Sequence, residues 1–129
     1  ITMKELGQNI GLTSPATIER VKKLEECGVI KGYKAILNNR QTGLSVRAFI
    51  LLNCSATQTC QNFADYAQSH QAILACHRIT GEFSYLVDAV VADMQMLEKL
   101  IDELMLFGNT QTHIVLSSLV EHKPILLPE

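Results

Sequence analysis

GLTSPATIERVKKLEECGVIKGYKAIL, residues 11–37, decides how the rest of this chain is read. Gly11 and Leu12 read as the turn closing a short helix, and Thr13, Ser14 and Pro15 open a second one. Ser14 is the expected N-cap, because its hydroxyl can satisfy one of the orphan amides, and Pro15 suits the first helical position. Inside that helix Ile18, Val21 and Leu24 recur every three residues and make an apolar stripe. Arg20, Lys22 and Lys23 lie off the stripe, free for something outside the fold. Gly28 follows a Lys/Glu-rich last turn, where a left-handed C-terminal cap is expected. Val29 to Leu37 then reads as a β-stretch carrying Lys31 and Lys34. Helix, Gly-containing turn, second helix and basic strand together form the pattern of a winged helix-turn-helix.

Upstream, Thr2 to Ile10 reads as a short helix with Met3, Leu6 and Ile10 inward. A three-helix DNA-binding module needs one more helix to cover this pair. That helix is expected before Ile1, unless a partner subunit covers the pair. Downstream, NNRQTG (38–43) is polar and turn-rich and reads as a linker. The charge changes there too. Residues 1–40 hold seven basic and four acidic side chains, a balance of +3, whereas residues 41–129 hold four and nine, a balance of −5. A basic first third on an acidic body suggests a polyanion partner for the first part only. The expected domains are 1–38, a partial winged helix-turn-helix; 39–44, a linker; and 45–129, a second domain.

That second domain alternates between two periods. Val46 to Cys54 is apolar and β-prone, and Gln58 to Ser69 places Cys60, Phe63, Ala64 and Ala67 on one helical face. Ala72 to Thr80 and Ser84 to Ala92 read as strands joined by Gly81-Glu82-Phe83, a hairpin loop. Asp93 is placed to cap a long helix with Leu97, Leu100, Ile101 and Leu104 in one stripe, stopped by Gly108-Asn109. Thr110 to Glu121 closes as a fourth strand. The order is β-α-β-β-α-β, a ferredoxin-like sandwich with both helices on one face of an antiparallel sheet. The whole is an α+β protein. The opposite sheet face is left bare, and dimerisation through it is expected.

With 47% hydrophobic residues in 129, the chain can bury a sizeable core. No run of ~18 apolar residues is present to span a membrane. Nor is there a basic leader followed by an apolar segment, so a cytoplasmic location is expected. Cys27, Cys54, Cys60 and Cys76 form no CxxC, and no His stands at zinc-finger spacing, so neither metal nor cofactor is expected. In that setting the thiols are expected to be reduced. His77 reads as a satisfied core histidine, Met94 and Met96 as packing residues, and Asp88 as a carboxylate in need of a partner, with Arg47 or Arg78 in an oligomer contact one option.

The helix-turn-helix stretch, followed by a β-α-β-β-α-β domain with ITGEFSYLV in its central hairpin, resembles the leucine-responsive regulator (Lrp/AsnC) family of transcription factors. The resemblance implies a winged helix-turn-helix tied by a hinge strand to a small-molecule-sensing αβ sandwich. It further implies homodimers, with tetramers or octamers of dimers, and effectors that are usually amino acids bound near the Gly-containing loop. That loop is here Gly81, Glu82, Phe83, Ser84 and Tyr85. Members often carry an acidic residue where Ser84 stands, and a basic one where Glu19 stands.

Two residue sets follow. Thr17, Arg20 and Lys23 are expected to face a DNA major groove, which admits an α-helix. Lys31 and Lys34 suit phosphates and so set affinity and salt dependence. Thr13, Ser14 and Lys22 complete the DNA-binding set. Thr80, Gly81, Glu82, Phe83, Ser84 and Tyr85 form the effector set, joined by Thr110 and Thr112. The expected function is a sequence-specific DNA-binding regulator whose assembly or operator binding responds to an amino acid. Alternatives are an effector-independent architectural DNA binder, and a sensing domain that acts by joining a full-length relative. A dimeric αβ-barrel enzyme using His77 or Asp88 would have no reason to carry a basic helix-turn-helix.

Overall fold

A computed structural model describes residues 13–39, 41–126 and 128. The expected helix over Thr2 to Ile10 and the turn at Gly11-Leu12 lie outside them. Two compact units divide the chain, residues 1–36 and 37–129.

In the first unit, helix α1 (Ser14–Glu26) starts one residue earlier than its sequence signals suggest. Thr13, not Ser14, is the N-cap: its backbone is extended and its Oγ1 accepts from the Ala16 amide at 3.4 Å. Thr and Ser both suit the position, and here the first takes it, with Pro15 in the first turn. The inward line is also rotated. Thr17 is fully buried while Ile18 is half exposed. Steps of three residues turn a helix by only about 300°, so a row of threes drifts, whereas Thr17, Val21 and Leu24 keep to one face. Gly28 (φ +81°) supplies the left-handed cap, its amide donating to Glu25 and that of Ile30 to the Leu24 carbonyl.

The expected strand over Val29 to Leu37 is absent: these residues carry no strand pairing. A strand exists by virtue of its ladder, and β-propensity alone does not supply a neighbour. Tyr33 instead donates from its hydroxyl to Glu25, fastening this exposed segment to α1. After it the chain turns, with the Gln41 and Thr42 amides on the Asn38 carbonyl and Gly43 at φ +81°.

In the second unit, β1 (Val46–Asn53), α2 (Thr57–Ser69), β2 (Ile73–Arg78), β3 (Tyr85–Val91), α3 (Met94–Met105) and β4 (Asn109–Ile114) follow in the expected order. The four strands form one sheet in the order β2-β3-β1-β4, with β1 antiparallel to both its neighbours and β2 antiparallel to β3. The last strand stops at Ile114, well short of Glu121, although the Val115 amide still reaches the Arg47 carbonyl.

Alternation along β1 buries Ala48, Ile50 and Leu52, and on β3 Ala89 and Val87, opposite Ala48 and Ile50, share that face with Val91, opposite Val46. Phe63 and Ala67 from α2, and Leu97, Leu100 and Leu104 from α3, close over them. Phe63 is the centre, its ring 5.0 Å from that of Tyr85 and 5.7 Å from that of Phe107. Asp93 caps α3 by accepting from the Met96 amide at 2.8 Å. Met94 and Met96, expected to pack, are largely exposed, because they precede the buried stripe and lie off it.

The other face carries Arg47, Phe49, Leu51, Leu86 and Asp88. Asp88 finds its partner within the chain: Arg47 grips it with two hydrogen bonds, of 3.1 and 2.8 Å, and lies over the Phe49 ring. That pairing holds Arg47 charged and raises its pKa. An oligomer contact is therefore not needed to explain the carboxylate. His77, paired in register with Leu86, is exposed on this face and is not a core histidine. Cys54 and Cys60 are joined, against the expectation of free thiols: their Cα atoms are 5.8 Å apart and their sulfurs bonded. Cys27 and Cys76 are free. Among the described residues no helix is long and apolar enough to cross a membrane.

Candidate functional site

Among the described residues of the first unit the cationic side chains stand along one exposed helix and the segment after it. Arg20, Lys22 and Lys23 are all exposed, as are Lys31 and Lys34. Lys22 stands 4.0 Å from Glu26 and Lys23 3.8 Å from Glu19, each one helical turn away. Such exposed pairs are weak and screened, so a stronger polyanion can displace the carboxylates. Among the described residues no carboxylate pairs with Arg20, which presents its guanidinium fork to solvent. Thr17 does not join this surface. Its buried hydroxyl donates to the Thr13 carbonyl at 2.8 Å, so it serves the helix and not a ligand. Thr13 is committed to the cap, and Ser14 is half-buried beside it.

In the second unit, the β2–β3 hairpin loop and the N-terminal turn of α2 enclose a predominantly polar cleft of about 510 Å³. Thr80, Gly81, Phe83, Ser84 and Tyr85 line it, five of the eight residues expected to meet an effector. Gly81 holds φ +108°, a conformation in which a side chain would be strained, and this gives the loop its tight path. Ser84 fixes the loop to β1: its amide donates to the Leu52 carbonyl at 3.1 Å and its hydroxyl to Asn53 Oδ1 at 2.8 Å. The Ile79 amide reaches back to the Ser84 carbonyl at 2.8 Å.

Three expected residues are elsewhere. Glu82 is exposed on the loop but outside the lining. Thr110 and Thr112 pair with Leu52 and Ile50 on β4, which lies on the opposite side of β1 from the loop. Sequence proximity to a turn did not place them, because strand order, not chain order, sets what meets the hairpin. Conversely, Arg78, Ile79, Ser55, Thr57 and Gln61 line the cleft and were not expected there. Arg78 precedes the loop by three residues, and an Arg closing a strand next to a Gly-containing hairpin was the available signal. The α2 residues had none, since only tertiary packing brings that turn across.

The cleft thus sets one guanidinium, several hydroxyls and a tight backbone turn around one polar space. A second groove of about 470 Å³, between α2 and β2, is apolar and shares Arg78 and Tyr85 with it.

Residues 47–125 match the Lrp/AsnC ligand binding domain, and residues 1–31 match a winged helix-turn-helix DNA-binding domain. An HTH-type transcriptional regulator of Bacillus subtilis, YezC, is 42% identical over 118 residues, covering 92% of this chain and 83% of that relative. The leucine-responsive regulatory protein of Escherichia coli is 32% identical over 133 residues, covering 98% and 81%. Among solved structures, a transcriptional regulator of Neisseria meningitidis in complex with L-Met superimposes with a TM-score of 0.82. It is 27% identical, covering 94% of this chain and 82% of that one.

Proposed function

The chain belongs to the Lrp/AsnC family of transcriptional regulators, with a DNA-binding and a ligand-binding domain, and we propose that an amino acid in the β2–β3 cleft controls its assembly on DNA. It is a regulator and not an enzyme, as are the relatives it matches. One observation carries the effector half: a polar cleft contains Arg78 beside the Gly81 turn and Ser84. The Arg78 fork suits an α-carboxylate, which it can bind with two hydrogen bonds. Loop carbonyls suit the α-ammonium group, Glu82 lying just outside the lining, and the neighbouring apolar groove accommodates a side chain. The L-Met complex of the Neisseria regulator supports methionine as the first ligand to try.

For the DNA half, Arg20 and Lys23 face the groove in this reading, while Lys22, Lys31 and Lys34 meet phosphates. Thr13 and Ser14 approach the DNA backbone at the N-terminal end of the helix. Thr17 is left out, since its side chain is buried. The domain boundary is taken within the turn at 39–44, and the sheet face bearing Phe49, Leu51 and Leu86 is taken as the homodimer surface, from which tetramers or octamers can grow. A cytoplasmic location accords with a DNA partner. An effector acts here only by binding one assembly better than another, because equal affinity for both shifts nothing.

Calorimetric titration of L-methionine and the other amino acids into the protein tests the effector half. Saturable binding to the wild type that is lost in Arg78→Ala is the expected result. Binding unchanged by that substitution would move the site elsewhere, and no binding by any amino acid would remove the sensor function.

A further inference from the structure

Cys54 and Cys60 stand in the wall of the cleft, and nothing in the binding scheme above uses them. Resting on the cleft being the effector site, we propose that this pair is a reversible thiol–disulfide switch that sets the shape of the site.

Four observations converge. The Cα atoms are 5.8 Å apart, a separation that a disulfide spans. Cys60 Sγ is also 3.3 Å from the Cys54 carbonyl oxygen, so a Cys60 thiol has an acceptor in the open state. Cys60 is the fourth residue of α2, so the bond ties the first turn of that helix to the end of β1. Finally the two sulfurs differ in access, Cys54 being buried and Cys60 only partly so. Cys60 is therefore the attacking thiol and Cys54 the resolving one. The remaining cysteines are unsuited: Cys27 lies in the other unit, and burial pushes the Cys76 thiol up.

The coupling runs through the end of β1. Leu52 and Asn53 hold Ser84 of the loop, and Cys54 follows them directly. Gly108 packs closely against the same point, leaving no room for a Cβ beside Asn53. The bond therefore clamps the first turn of α2 to the strand end that anchors the loop. Opened, that turn is released and one wall of the cleft loosens.

The co-reactant is a low-molecular-weight disulfide such as oxidised glutathione. The Cys60 thiolate attacks one of its sulfurs, expels a thiolate and forms a mixed disulfide. The Cys54 thiolate then attacks Cys60 Sγ and expels the second thiolate. The protein loses two thiol protons and two electrons, and the small disulfide becomes two thiols.

The test uses the whole protein equilibrated at graded ratios of reduced to oxidised glutathione. Differential alkylation locates the bond, amide exchange of residues 79–84 reports the loop, and L-methionine is titrated into the same samples. In the bridged state, Cys54 and Cys60 resist alkylation and loop exchange slows about tenfold. L-Methionine affinity then differs about fivefold between the states. Cys60→Ser keeps a donor for the Cys54 carbonyl and loses all redox dependence. A pair that stays open at every ratio overturns the switch, as does loop exchange that ignores the bond. Loop exchange that follows the bond while no amino acid binds either state upholds the switch and fails the effector reading alone.

Discussion

Gly108 shows how little room a single position can have. A Cβ there would sit 1.9 Å from the Asn53 carbonyl oxygen and 2.9 Å from its carbon, both backbone atoms that cannot swing aside. Gly108→Ala is expected to lower stability by about 1–3 kcal/mol or more, the usual cost of overpacking, in chemical unfolding. An unchanged midpoint would mean that the turn after α3 yields freely. The residue reads in sequence as a helix stop, but its tight contact with β1 is a tertiary fact that no local pattern carries. The same holds for Tyr66, whose hydroxyl donates to Glu103 on α3, with His70 Nε2 3.4 Å from the same carboxylate oxygen. Tyr66 and then His70 hold the Glu103 carboxyl below its ordinary range, while burial and that hydrogen bond push the Tyr66 hydroxyl well up. A lowered carboxyl stabilises the fold above its unfolded value of about 4.3 and loses that effect as pH falls; a raised phenol does so below about 10 and loses it as pH rises. The melting temperature of the wild type should therefore exceed that of Tyr66→Phe most between those limits, the gap shrinking on either side. A gap constant from pH 3 to 11 would contradict the assignment.

Among the elements, sequence periodicity served the second domain well and the first less so. Strands and helices from Val46 onward appear in the expected order because each buries one face in a shared core, so pattern and packing agree. The wing strand failed for the opposite reason: residues 29–37 are β-prone but have no ladder among the described residues. Even so, Lys31 and Lys34 are exposed there and remain available to phosphates. Replacing both with Ala should reduce the slope of log affinity against log salt by about 0.9 for each phosphate no longer neutralised. Arg20→Ala, by contrast, should weaken a preferred site relative to random DNA. Equal losses on both sequences would make Arg20 another phosphate ligand.

For the whole molecule, chemistry and position were legible to different degrees. The Gly81 loop announced itself through its residues, and five positions in and beside it line the cleft. Arg78 and the α2 turn became visible only once strand order was known. Cleft and cationic helix are proposed here as parts of one device, in which amino-acid binding changes how the protein engages DNA. The decisive experiment is fluorescence anisotropy of a labelled duplex from the protein's own promoter, titrated with and without saturating L-methionine and then the other amino acids. At least one amino acid should shift the binding curve about fivefold or more, and Arg78→Ala should abolish the shift. Identical curves for every amino acid, with DNA still bound, would refute the coupling and leave an effector-independent DNA-binding protein.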